Sequence, residues 1–220
     1  MNDSREPARI EYGLYRASDA EEMTKLLADA FTRHDPLAWA VGVEPTDFAS
    51  LVVSLLPQVA QEDLTIVARL AATGEMAGAL LTNDPARETA ASMETLSDRF
   101  APIGSILGEL VTTYRAGREP REGEMLHLYF LGVSDLAAGN GVGKRLVAAS
   151  VENGSRKDYR VAVAEATNPK SQHIFRTQGF AERGQILFKE HVFRGRKVFE
   201  HIAEYGGPIL MEKVLSGADS

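Results

Sequence analysis

Three alternating glycines, Gly139, Gly141 and Gly143, stand between a nearly continuous apolar run, Glu124–Val133 (EMLHLYFLGV), and an amphipathic stretch beginning at Gly141. An apolar run of that kind reads as a central strand covered on both faces. Glycine lets the backbone that follows turn tightly and approach a ligand closely. The first turn of a helix carries unpaired N–H groups and the positive end of the helix dipole, a combination that binds phosphate. Lys144 and Arg145 add positive charge beside it. A dinucleotide site of the G-x-G-x-x-G type needs a different spacing and half a sheet still to come, but only the last third of the chain remains. The G-x-x-x-x-G-K-[ST] pattern of a P-loop is absent. On the glycines alone, a purely structural turn stays open.

The rest of the chain supplies a mixed sheet. Ile10–Arg16 has strand character, and Asp19–Phe31 reads as a helix with Ser18 or Asp19 as its cap and Met23, Leu26, Leu27 and Ala30 as its apolar stripe. A loop, Thr32–Thr46, holds the single tryptophan, Trp39; Asp47–Ala60 is helical with an interruption near Pro57. Leu64–Leu70 and Glu75–Leu81 form a hairpin pattern. Glu94–Arg115 is a helical insert divided by Pro102 and Gly104. After the central strand come a helix, Gly141–Glu152, ended by Asn153-Gly154, a strand, Tyr159–Ala164, and a helix, Pro169–Gln178. Strands at Gly184–Glu190 and Ile209–Val214 flank the ambiguous segment Val192–Tyr205. The expected class is α/β (α+β), with one domain over residues 1–220.

Charge and composition narrow the function. The net charge of −7 argues against nucleic acid as a partner. It hides an asymmetry: residues 1–138 carry 11 Lys and Arg against 22 Asp and Glu, and residues 139–220 carry 13 against 9. A basic half suits a polyanionic cofactor and an acidic half a cationic substrate; random surface scatter explains the split as well. The absence of cysteine removes disulfides, thiolate metal sites and a cysteine nucleophile. With no membrane-length apolar run and a polar Met1–Arg9, the expectation is a cytoplasmic protein without a membrane partner.

Two blocks carry a family resemblance. LYFLGVSDLAAGNGVGKRLVAASVENG closely resembles the cofactor motif of GNAT acetyltransferases, and VAVAEATNPKSQHIFRTQGF resembles the strand, Asn, helix and Gly-Phe that follow it in that family. Together they cover Glu124–Phe180. The resemblance implies a sheet whose central strands splay apart, with helices on its flanks, and acetyl-CoA as co-substrate. It implies that Leu131, Gly132 and Val133 pair with pantetheine and that Ala138, Gly139, Asn140, Gly141, Val142, Gly143 and Lys144 cradle the pyrophosphate. Ala138 stands where Arg or Gln is usual, so only its backbone would contribute. Asn168, Ser171 and Phe175 are the cofactor-side positions of the second block, and Asn168 is equally a helix N-cap.

Acetyl transfer needs a base for the ammonium and a fate for the thiolate. Beyond the core motifs the chain resembles the arylalkylamine N-acetyltransferase branch, through Phe31–Leu37 (FTRHDPL) and, more diffusely, through Ile186–Lys213. By that resemblance Asp35 stands at the branch's general base, with a shorter side chain than the usual Glu. His127 and Tyr129 share a face of the central strand by its period of two; His127 matches one of a proton-conducting His pair and Tyr129 replaces the other. Glu124 is a further candidate base through water, and Glu165 an outside one. Phe175 occupies the usual thiolate-protonating tyrosine position and has no proton to give, which leaves Ser171 or unassisted departure. The substrate side is expected from residues 32–46, 94–115 and 192–207, with Trp39, Phe31, Phe193 and Tyr205 as candidate aromatic lining; the insert could instead serve a homodimer. The leading reading is acetylation of a small primary amine. A protein N-terminal or lysine acetyltransferase and a CoA-binding regulatory protein without catalysis are the alternatives.

Overall fold

A seven-stranded sheet organises the molecule, whose computed structural model describes residues 9–87 and 97–215. The strands are β1 (Ile10–Leu14), β2 (Ile66–Leu70), β3 (Met76–Asn83), β4 (Met125–Val133), β5 (Val161–Ala166), β6 (Ala181–Gln185) and β7 (Ile209–Val214). Their spatial order is β1-β2-β3-β4-β5-β7-β6, and every neighbouring pair is antiparallel except β4 with β5. All eight residues of β3 are buried. That is what an apolar strand at the sheet's centre requires.

Among the described residues six α-helices cover the two faces: α1 (Ala20–His34), α2 (Pro36–Ala40), α3 (Pro45–Glu62), α4 (Ala101–Arg115), α5 (Val142–Arg156) and α6 (Pro169–Thr177). On one face Val142, Leu146 and Val147 of α5 and Phe175 of α6 meet Leu80, Leu126 and Leu128. On the other, Met23 and Leu27 of α1 and Phe48, Val52 and Leu55 of α3 meet Leu81 and Phe130. Adjacent strand residues Leu80 and Leu81 thus serve opposite cores, as alternation along a strand dictates. A third cluster, Leu37, Ile106, Phe188, Phe199 and Ile202, ties α2 and α4 to the segment between β6 and β7.

Several boundaries differ from the sequence reading. Asp19 does not cap α1; its carboxylate accepts from the Arg16 amide and from Arg69 (2.7 and 2.8 Å). The expected loop after α1 contains a short helix, α2. Helix α3 continues through Pro57, because the carbonyl that loses its partner belongs to Val53, which is exposed. Helix α4 begins at Ala101 with Pro102 in its first turn, and Gly104 does not divide it; Glu94–Leu96 of the predicted helix lie outside the described residues. Helix α5 runs past Asn153-Gly154. A Cβ on Gly154 would stand 2.5 Å from Leu126 Cδ2, so this glycine lets α5 lie close on β4 rather than ending it. Strand β6 ends at Gln185, and the ambiguous segment forms a turn bridged by Phe193 and Arg196, then a 3-10 helix at Glu200–Tyr205. No helix among the described residues is long and apolar enough to cross a membrane.

Candidate active site

Two irregularities of the central strands open the sheet. The parallel pairing of β4 with β5 stops at His127↔Val163, although β4 continues to Val133 and β5 to Ala166. Beyond that point the strands have no paired residues, the splay expected from the motif. On the other edge of β4 the register jumps from Leu81↔Phe130 to Thr82↔Leu128, so Tyr129 is a bulge residue. A bulge re-aims the side chains around it. Here His127, Tyr129 and Phe130 all reach one cavity, with ring centroids 4.7 Å apart for the first pair and 4.1 Å for the second.

The glycine segment lies next to the splay. Gly139 and Gly141 adopt φ values of 81° and 73°, with open space where a side chain would stand, so their role is the turn itself. Gly143 and Gly132 serve packing. A Cβ on Gly143 would lie 3.1 Å from Ile174 of α6, and one on Gly132 would lie 2.8 Å from Leu27 of α1. The amides of Ala138 and Asn140 are spent inside the loop, on the carbonyls of Asp135 and Ala137. These two do not aim at an anion, in contrast to the sequence expectation for the whole segment. Val142, Gly143 and Lys144 form the first turn of α5, whose N–H groups have no carbonyl one turn earlier. The splay and this helix start fit the pantetheine and pyrophosphate of a CoA ester: one offers unpaired strand edges, the other an amide cradle with Lys144 and Arg145 exposed beside it.

A cavity of about 370 Å³ begins at the splay, where Leu131, Asn168, Ser171 and Phe175 line it, and runs under α4. Asp35 lines it from the N-terminus of α2. Its Oδ1 accepts from the Leu37 and Ala38 amides (3.0 and 3.1 Å), and the Thr167 hydroxyl donates to Oδ2. Burial pushes the Asp35 carboxyl above its ordinary pKa, against the opposing pull of the Thr167, Ala38 and Leu37 hydrogen bonds. One step further along the floor, His127 Nε2 lies 2.7 Å from Glu165 Oε2. Burial works to raise the Glu165 carboxyl, but the charge of His127 and the bond to it, helped by Arg115, hold it below its ordinary pKa. The remaining walls are mostly apolar, Phe31, Phe48, Phe100, Ile103 and Leu107 among them, with Tyr114 and Arg115 at the C-terminal end of α4.

Of the residues singled out in the sequence, Asp35, His127, Tyr129, Ser171, Asn168, Phe175, Leu131 and Glu165 converge on this cavity. Glu124 does not. Its carboxylate is tied to Arg118 (2.8 Å) and to the Arg121 amide (3.0 Å), in a surface cleft of mixed charge. Asn168 caps α6, its Oδ1 accepting from the Ser171 amide, while the Ser171 hydroxyl donates to the Asn168 carbonyl (both 2.9 Å). Phe175 packs edge-on against Phe180. Trp39 is 63% exposed, against His201, and neither it, Phe193 nor Tyr205 lines the cavity. The lid is α4; residues 192–207 lie behind α2 instead. Thr167, Tyr114 and Arg115 also line the cavity; the last two lie in the 94–115 segment expected on the substrate side without being singled out, and Thr167 was missed. Thr167 sits just before the Asn168 cap, and that adjacency was the one available signal.

Comparison with known proteins agrees with this geometry. The family model described as the Acetyltransferase (GNAT) family matches residues 56–180, more than half of the chain. No curated protein matches the sequence. Among solved structures, the C-terminal condensation domain of Ebony in complex with β-alanyl-dopamine has a TM-score of 0.86 at 15% identity, covering 94% of this chain and 99% of that one. Arylalkylamine N-acetyltransferase 2 from Aedes aegypti has a TM-score of 0.79 at 19% identity, covering 94% and 100%. A polyamine N-acetyltransferase from Drosophila melanogaster has 0.72 at 17%, again covering 94% and 100%. At these identities the likeness is one of fold.

Proposed function

The chain belongs to the GNAT acetyltransferase family and is an acyltransferase, and from that premise we propose that it acetylates the primary amine of a small molecule with an apolar, aromatic body. The observation that carries this reading is the single cavity joining the splayed cofactor edge to a buried carboxyl. Acetyl-CoA, when bound, supplies the activated thioester. Everything else is the work of the chain's own side chains.

Asp35 is the proposed base. An ammonium entering the cavity meets a carboxylate whose raised pKa suits it to take a proton, and whose orientation is fixed by two amides and a hydroxyl. The apolar walls exclude water and favour the neutral, nucleophilic amine. His127 and Glu165 form a second proton-holding pair on the same floor. Ser171 lines the cavity with its hydroxyl held by Asn168, so it is the available hydroxyl on the cofactor side, where Phe175 has none. The thiolate needs little help at neutral pH, since a free thiol titrates near 8.5.

The aromatic body of the acceptor is supported by Phe31, Phe48, Phe100, Tyr129 and Phe130 in the walls. It agrees with the compound bound to the Ebony domain, β-alanyl-dopamine, which has an aromatic body. Helix α4 covers one side of the cavity, which suits a small acceptor better than a polypeptide. The test is release of CoA thiol from acetyl-CoA across an amine panel. Amine-dependent release, greatest with aryl-ethylamines, supports the reading; binding of acetyl-CoA with no release for any amine overturns it.

A further inference from the structure

The cavity's charges are unevenly placed, and the placement selects among amines. Among the described residues, two acids line it, Asp35 and Glu165, and its only basic side chains are His127 and Arg115. Glu165 is compensated: His127 is bonded to it at 2.7 Å, and Arg115 acts on it through space. Asp35 has only neutral partners, the Thr167 hydroxyl and two backbone amides. The cavity therefore holds one carboxylate without a charged partner, at the splay, and a cationic residue, Arg115, at the C-terminal end of α4.

Arg115 Nη1 pairs with Glu119 in the segment after α4 (2.9 Å), and its Nε is buried without a hydrogen-bond partner among the described residues. Glu119 is 81% exposed and lies on the solvent side, where screening leaves such a pair weak. Arg115 also lines the cavity, where a charge is screened less than on the solvent side.

Resting on the acetyl-transfer reading above, we propose that Arg115 is a specificity-determining residue that restricts the acceptor to amines with a single positive charge. The ammonium goes to Asp35. The rest of the substrate lies along the aromatic walls, and its far end meets Arg115. A second ammonium or a guanidinium there faces a like charge and, among the described lining residues, no carboxylate besides Asp35 and Glu165, whereas an uncharged or hydrogen-bond-accepting end is admitted. Rejection by a placed repulsive group is an effective route to discrimination between substrates that share one anchor.

The experiment compares kcat/KM for 2-phenylethylamine with that for its 4-aminomethyl analogue, which keeps the body and adds one cation. The native protein is expected to prefer the monoamine by about tenfold or more, the scale of one unfavourable charge contact. Arg115→Gln should reduce that ratio about tenfold, and Arg115→Lys, which retains the charge, should preserve most of it. Loss of a merely structural residue lowers both substrates together and leaves the ratio unmoved, so an unchanged ratio in Arg115→Gln overturns the proposal. Equal use of both amines by the native protein also overturns it. If Arg115→Gln does not fold, Arg115→Met carries the same comparison. A protein that binds acetyl-CoA but turns over neither amine, nor any other, fails earlier, at the acetyl-transfer reading itself.

Discussion

Asp35 caps α2, is buried to 6% exposure and accepts a hydrogen bond from β5's C-terminal neighbour Thr167, and these three facts make separable demands on the residue. Asparagine keeps the capping oxygen and the size but cannot accept a proton. Asp35→Asn should therefore lower kcat by about 10²- to 10⁴-fold. Stability should not fall with it. An acid whose native pKa is raised binds its proton more tightly when folded, so its stability contribution is present below the unfolded pKa and is lost as pH rises through the native one. At neutral pH the ionised, buried carboxylate is thus a destabilising element, and the Asn variant should melt at the same temperature or higher. For the same reason the acidic limb of the kcat profile should titrate above the ordinary carboxylate range. Thr167→Val removes a bond that favours the ionised form and should move that limb to higher pH, with Thr167→Ser moving it back. A limb that does not respond to Thr167→Val removes Thr167 from the mechanism. Asp35 was legible in the sequence through its Asp-Pro-Leu setting. Its partner was not, because the two are 132 residues apart and nothing local ties a threonine to a distant carboxylate.

At the scale of elements, the glycines divide by what their missing side chains do. Gly141 stands before α5 at positive φ in open space, and Gly154 stands inside α5 against Leu126 and Leu215. Gly141→Val should strain the turn by about 1–2 kcal/mol and raise the acetyl-CoA KM about tenfold, with little effect on the amine KM. Gly154→Ala should leave cofactor affinity alone and cost about 1–3 kcal/mol of stability, read as a melting point several degrees lower, because the fully buried Leu126 has no room to retreat. Titration calorimetry and thermal melts on the two variants separate these roles. Equal effects on cofactor affinity would contradict the division. The long, strongly patterned elements, β4, α5, α6 and the β2–β3 hairpin, were readable from periodicity and turn chemistry. Helix α2 was not, since five residues show no period, and Gly154 was misread because a packing glycine and a terminating glycine look alike in sequence.

Taken whole, the molecule joins an acidic first half, which contributes Asp35 and the lid helix α4, to a second half that contributes the glycine turn and the basic start of α5. The sheet is the seam of that arrangement: β4 pairs with β3 from His127 to Val133 but with β5 only from Met125 to His127, so the cleft opens beyond His127. A ligand bound there should stabilise both halves together. Acetyl-CoA at about 100 times its Kd should add about 2.7 kcal/mol to the unfolding free energy and raise the single melting transition. The central claim is that this cleft couples a bound thioester to an amine held at Asp35. Its most direct test is the rate of CoA thiol release from acetyl-CoA with and without 2-phenylethylamine, in the native protein and in Asp35→Asn. Release should depend on the amine and collapse in Asp35→Asn while acetyl-CoA binding persists. Release that ignores the amine, or survives the substitution undiminished, would contradict the claim.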